Sequence, residues 1–149
     1  KAVNNVIVQE AMPESFITVF YALFDMQEHA LCYVNAGHEP PLYLAPDHKT
    51  VVELPNSGIP LGVKAGTTYD QHLVEFPEGS RIVLYTDGVT EARSKEGFFG
   101  LERLKEFLLS HCQESPIEFV GHLMEHVQGF ASSRLRDDVA ILLAEMKPN

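Results

Sequence analysis

The chain has 149 residues, enough for one domain with a sizeable core, and its 45% hydrophobic and 21% charged content is that of a globular protein rather than a disordered one. Against 21 acidic side chains stand only 11 basic ones, and the formal net charge of -10 opposes a phosphate backbone, which argues against nucleic acid as a partner. No apolar run approaches the roughly twenty residues of a membrane span, and no basic-then-apolar leader opens the chain; Cys32 and Cys112 form neither a disulfide framework nor a C-x-x-C site, so the reading is a cytoplasmic protein, not a membrane one, with reduced thiols.

Val3, Val6 and Ile7 follow Lys1 at helix-compatible spacing, so the chain reads as cut from something longer. Phe16 to Phe24 is apolar on both alternating sets, which predicts a strand buried on two sides. Ala30 to Val34 is its antiparallel return across the polar stretch Asp25 to His29. Leu42-Tyr43-Leu44 and Val51 to Leu54, separated by the turn residues Asp47-His48-Lys49, are predicted to continue the hairpins into a meander. Residues 69 to 76 and 81 to 86 form another pair of apolar runs around Pro77-Glu78-Gly79-Ser80, a strong turn composition.

The period changes after Glu91. Leu101, Leu104, Leu108 and Leu109 recur at helical spacing, with charged residues on the opposite face, and Gly97 and Gly100 shape the entry to that helix. Ser115-Pro116-Ile117-Glu118 opens a second helix as a capping box with proline in its first turn, and Ile117, Val120, Leu123, Met124 and Val127 are its predicted buried stripe. Residues 139 to 145 close the chain as a strand. Many strands, two late amphipathic helices and a final strand describe one α+β domain over residues 1 to 149.

Chemistry concentrates at two strand edges. Arg81 to Tyr85 ends in Thr86-Asp87-Gly88, where Gly88 is expected to give the chain freedom for a sharp exit, and Asp137-Asp138 stands immediately before the apolar run Val139 to Leu143. Adjacent strands could bring these carboxylates together; clustered carboxylates repel unless a cation or proton neutralises them, which makes Mg²⁺ or Mn²⁺ the natural occupant. A plain Asp-Gly turn is the alternative for Asp87-Gly88 alone. Asn35-Ala36-Gly37-His38 ends another strand and could place a polar side chain at the same rim as Asp87, although a histidine in such a loop is more often a hydrogen-bonding or surface residue. His122 to His126 fits H-x-x-E-H, a zinc-peptidase pattern, but both histidines are offset from the apolar stripe and point toward solvent, so a polar helix face is the better reading. No G-x-S-x-G elbow occurs, and Ser132-Ser133 lies in a polar connection without a recognisable oxyanion loop.

Taken in order, Phe16-Ile17-Thr18-Val19-Phe20-Tyr21, Asn35-Ala36-Gly37-His38, Leu61-Gly62-Val63, Leu84 to Ala92, Phe99-Gly100 and Asp137-Asp138-Val139 resemble the SpoIIE-type phosphatases, the bacterial branch of the metal-dependent PPM serine/threonine phosphatases. The resemblance covers about residues 15 to 145, and its T-D-G-x-T-E-A block is highly specific. It implies a four-layer α-β-β-α sandwich of mainly antiparallel sheets with metals at the sheet rim. It implies Asp87 and Asp137 as metal-ligand and catalytic residues, with Gly88 beside them, and Asp138 as a neighbouring carboxylate orienting water or the ligand set; the choice between Asp137 and Asp138 as direct ligand stays open. Two Mn²⁺ or Mg²⁺ ions in the complete domain would activate a water for attack on phosphoserine or phosphothreonine. The implied partner is a phosphorylated regulatory protein such as an anti-sigma-factor antagonist, with a sensor or regulatory domain upstream.

The chain departs from the family pattern in lacking the glycine-aspartate and D-x-S-G-K-G segments, which should precede residue 1 and carry further ligands. The domain is therefore expected to be N-terminally incomplete, and weakly active or inactive as it stands. Ala140 replaces a threonine usual after D-D-V or D-D-M, which puts a local hydrogen bond in question. The competing class is a noncatalytic, degenerate phosphatase fold that binds a protein partner as a regulatory module.

Overall fold

Alternating β-branched and aromatic segments form a three-stranded and a four-stranded sheet, beside a small two-stranded one, in a computed structural model that describes residues 1–10, 15–131, 135 and 137–147. The expected connection Ser132-Ser133 lies outside the described residues. The chain divides into two units, one of residues 1–40 and 54–77 and the other of residues 41–53 and 78–149.

In the first unit, helix α1 (Ala2–Glu10) precedes strands β1 (Val19–Asp25) and β2 (Ala30–Ala36). The expected hairpin forms, with Phe20 opposite Asn35 and Asp25 opposite Ala30, and the Asp25 carboxylate caps its turn by accepting from the amides of Gln27 and Glu28 at 3.0 Å each. Burial on β2 alternates, with Leu31, Tyr33 and Asn35 inside, as a half-covered strand requires. The two-sided burial expected for Phe16 to Phe24 is not found: Tyr21 and Leu23 are 60% and 57% exposed and Phe16 is 61% exposed. The reason is position, since β1 is the edge strand of its sheet and pairs with β2 alone. The predicted start of α1 is present, but its anchor is polar. Buried Asn4 donates to the Lys64 carbonyl at 2.8 Å and accepts from the Gly62 amide and the Tyr69 hydroxyl at 3.0 and 3.2 Å.

The second unit contains strands β3 (Leu42–Leu44) and β4 (Val51–Glu53), and the meander expected of the early strands breaks here. Strand β5 (His72–Glu75) pairs with β2 in the first sheet, whereas β6 (Arg81–Tyr85) pairs with β3 in the second. The two apolar runs around Pro77 to Ser80 are thus consecutive without being partners. After β6 come the one-turn helix α2 (Asp87–Thr90), a small hairpin of β7 (Arg93–Ser94) and β8 (Gly97–Phe98), helices α3 (Gly100–Ser110) and α4 (Pro116–Phe130), and strand β9 (Ile141–Glu145). The second sheet has the order β4-β3-β6-β9.

One face of that sheet, carrying Leu42, Leu44, Val83 and Tyr85, packs with Leu104, Phe107 and Leu108 of α3 and Phe119, Leu123 and Val127 of α4. Two expected core positions are displaced. Ile117 is 83% exposed and Leu109 36% exposed, and the larger Phe119 and Phe107 are buried on their helices instead. The capping box of α4 forms as read: the Ser115 hydroxyl accepts from the Glu118 amide at 3.4 Å, and the Glu118 carboxylate accepts from the Ser115 amide at 3.1 Å. Arg81, at the start of β6, is buried and pairs with Glu145 of β9 at 2.8 Å, pinning the far end of the β6–β9 ladder.

Candidate functional site

The site lies wholly within the second unit, at the end of β6 opposite Arg81. The β6–β9 ladder runs from Arg81 opposite Glu145 to Tyr85 opposite Ile141, so the residues leaving β6 meet the residues entering β9. Strand β9 begins at Ile141 rather than at residue 139 as expected, and residues 138–140 run without regular structure beside Thr86 to Gly88.

Thr86 joins the two segments. Its amide donates to the Ala140 carbonyl at 3.1 Å, its hydroxyl accepts from the Ala140 amide at 2.9 Å, and the same hydroxyl donates to the Asp138 carbonyl at 2.9 Å. The contribution of the residue at 140 therefore runs through its backbone, which alanine supplies as well as threonine. Gly88 serves a purpose different from the one expected. It occupies the first turn of α2, and a Cβ at that position would lie 2.6 Å from the Asp138 carbonyl oxygen. Close approach of two backbones is what demands glycine here, since its backbone is helical and any residue could adopt it.

The side chains of Asp87, Asp137 and Asp138 are exposed. Asp87 opens α2, and its carbonyl accepts from the Glu91 amide at 2.7 Å and the Thr90 hydroxyl at 3.2 Å. Its backbone is thereby fixed while its carboxylate stays free to bind. Among the described residues, none of the three carboxylates has an ion-pair partner. The donor chemistry, oxygen only, suits a hard divalent cation. The number of donors is another matter. Among the described residues no group of three or more His, Cys, Asp or Glu side chains is gathered so as to hold a metal ion. The residues present thus match such an ion in donor type, while the described residues alone gather too few donors to enclose one.

The other sequence candidates resolve differently. In the first unit, buried Asn35 closes its loop on itself: its carbonyl oxygen accepts from the His38 amide at 2.9 Å and its amide donates to the His38 carbonyl at 3.1 Å. Gly37 follows with φ +71°, and a Cβ there would meet Pro60 at 2.5 Å. Asn35-Ala36-Gly37-His38 is therefore a built loop in which Asn35 holds His38 by its backbone. On α4, His122 and His126 are both exposed, as expected, and they part company. His122 contacts the Glu114 carboxylate at 3.0 Å, whereas the His126 ring packs 5.6 Å from Phe99 and 5.2 Å from Phe107 between centroids. Cys32 and Cys112 are free. The sequence reading gave Thr86 no part in joining the two edges, although it lay inside the T-D-G block and a hydroxyl there was a signal open to use.

Comparison with known proteins gives a consistent result. The family described as "Stage II sporulation protein E (SpoIIE)" matches residues 1–147. The phosphoserine phosphatase RsbU of Bacillus subtilis (strain 168) is 32% identical over 147 residues, covering 99% of this chain and 44% of that protein. The chain thus spans less than half the length of this curated relative. Among solved structures, the RsbU and RsbW domains of Rv1364c from Mycobacterium tuberculosis superpose with a TM-score of 0.79 at 25% identity, over 98% of this chain and 40% of that one. The phosphatase domain of the cell fate determinant SpoIIE from Bacillus subtilis, presoaked with Mn, gives a TM-score of 0.74 at 19% identity, over 97% of this chain and 63% of that one. These structures bear out the α+β sandwich architecture with antiparallel sheets expected from the sequence.

Proposed function

We propose that this chain, which belongs to the SpoIIE family of serine/threonine phosphatases that act in signalling, supplies the C-terminal portion of a catalytic domain hydrolysing phosphoserine or phosphothreonine on a regulatory protein. The observation that carries this reading is the lock between the two acidic edges: Thr86 bonds to both Asp138 and Ala140 at 2.9 Å, holding the Asp137–Asp138 segment alongside Asp87. Two acidic segments distant in sequence thereby run side by side through backbone contacts.

In this reading Asp87 and Asp137 offer carboxylate oxygens to Mn²⁺ or Mg²⁺, and Asp138 orients water or a ligand beside them. A bound divalent ion supplies Lewis-acid polarisation of the phosphoryl oxygens and a lowered pKa for water. The chain's own part is to present oxygen donors on a fixed backbone and to leave the rim open to a protein-borne phosphate. The net charge of -10 makes this neutralisation a requirement, because the acidic rim would otherwise repel a phosphorylated substrate. The partner is a phosphorylated regulator of the anti-sigma-factor antagonist kind. Among the described residues no helix is long and apolar enough to cross a membrane, and the proposed setting is the cytoplasm.

Replacing Asp87 by asparagine in the full-length gene product should abolish Mn²⁺-dependent phosphate release from a phosphopeptide while thermal unfolding stays as in wild type; unchanged turnover would reject the assignment. A second reading, a noncatalytic fold that binds a phosphoprotein without turnover, draws on the shortage of gathered metal donors among the described residues. The complete gene separates the two: an upstream D-x-S-G-K-G bearing its aspartate supports the enzyme, and its loss supports the binding module.

A further inference from the structure

We propose that Thr86 is a positioning residue whose hydroxyl sets the Asp137–Asp138 loop against Asp87 and so tunes divalent-cation affinity, an inference that rests on the phosphatase reading above. Thr86 stands at the N-cap of α2 with extended backbone (φ -93°, ψ 161°), where a threonine hydroxyl ordinarily accepts from the second or third amide of its own helix. It makes no such bond. The hydroxyl is instead spent across the gap, donating to the Asp138 carbonyl and accepting from the Ala140 amide, both at 2.9 Å. A hydroxyl has one proton to give and lone pairs to receive, so a single Oγ satisfies both neighbours at once.

Three further observations make this a clamp rather than a passing contact. The regular β6–β9 ladder stops at Tyr85 opposite Ile141, so Thr86 carries the pairing one step further than the strands themselves do. Its amide adds a third bond, to the Ala140 carbonyl at 3.1 Å. The Asp138 carbonyl also lies close to Gly88, where a Cβ would stand only 2.6 Å away. The carbonyl of one candidate acidic residue is therefore bonded by the residue before another and closely approached by the residue after it. These contacts set the backbone of Asp138 and Ala140 beside the residues that flank Asp87. Groups that orient ligands in this way ordinarily change metal affinity about 10- to 100-fold when removed.

The test compares wild type, Thr86→Val, which keeps the shape and loses the hydroxyl, and Thr86→Ser, which keeps the hydroxyl, all in the full-length gene product. Mn²⁺ dissociation constants are measured calorimetrically below the unfolding temperature, with metal-free thermal unfolding and phosphopeptide turnover alongside. Thr86→Val should raise the Mn²⁺ dissociation constant at least about tenfold, and Thr86→Ser should stay within about threefold of wild type. Thr86→Ala provides the same comparison should Thr86→Val fail to fold. A merely structural threonine would lower the metal-free Tm and leave Mn²⁺ affinity of the folded variants at the wild-type value, and that result overturns the inference while leaving the phosphatase reading intact. Wild-type protein that neither binds Mn²⁺ nor releases phosphate overturns both.

Discussion

At Gly88 the addition of one methyl group has a computable consequence, because the new Cβ would stand 2.6 Å from a backbone carbonyl that cannot swing away as a side chain would. Gly88→Ala is expected to cost about 1–3 kcal/mol of stability and to weaken Mn²⁺ binding as the Asp138 segment is pushed outward. Gly129→Ala is the control, since that exposed glycine on α4 has nothing within 4 Å of its Cβ position; there alanine should be neutral or stabilising by up to about 1 kcal/mol. Urea denaturation of both variants reads the contrast. The acidic residues themselves stood out in the sequence through the order of the family's motifs, since an Asp-Gly turn after a strand is common in itself. What the pattern could not display was the purpose of Gly88 or the reach of Thr86, since both depend on residues about fifty positions away that only folding brings near.

Helix α4 shows the same division at the scale of the element. Its start was readable because a capping box is local chemistry, and Ser115 and Glu118 make the reciprocal bonds. Ser115→Ala should cost about 1 kcal/mol, measured by thermal unfolding. The Glu118 carboxyl is held below its ordinary range, chiefly by the Ser115 side-chain hydrogen bond and then by the Ser115 amide. A depressed carboxylate contributes stability that is present above its unfolded pKa and lost as pH falls through the folded one. The Tm gap between wild type and Glu118→Ala should therefore narrow as pH falls through the carboxylate range. The buried face was read less well. Periodicity admits Ile117 and Phe119 almost equally, and only contact with the sheet decides that Phe119 is fully buried while Ile117 is 83% exposed. Leu123 was predicted correctly and is fully buried; Leu123→Ala should cost about 3 kcal/mol, in line with core truncations elsewhere.

At the scale of the whole molecule, the expected meander failed for a reason that concerns sheets in general. A turn such as Pro77 to Ser80 fixes that the chain reverses, but pairing is chosen by which edges are free, and β5 finds β2 while β6 finds β3. Architecture was recovered all the same, because the order of the family's short motifs along the chain carries topology that no single strand does. The H-x-x-E-H helix makes an independent check: with His122 turned to Glu114 and His126 to two aromatic rings, His122→Ala should leave phosphate release within about twofold of wild type. The central claim is that distant acidic segments share a divalent cation and that further ligands are needed to complete the site. Its most direct test is Mn²⁺-stimulated hydrolysis of a phosphopeptide by the full-length gene product, by its Asp87→Asn variant, and by residues 1–149 alone. The account predicts Mn²⁺-dependent turnover in the first, none in the second and weak or no turnover in the third; full-length turnover that persists in Asp87→Asn, or equal turnover by residues 1–149, would contradict it.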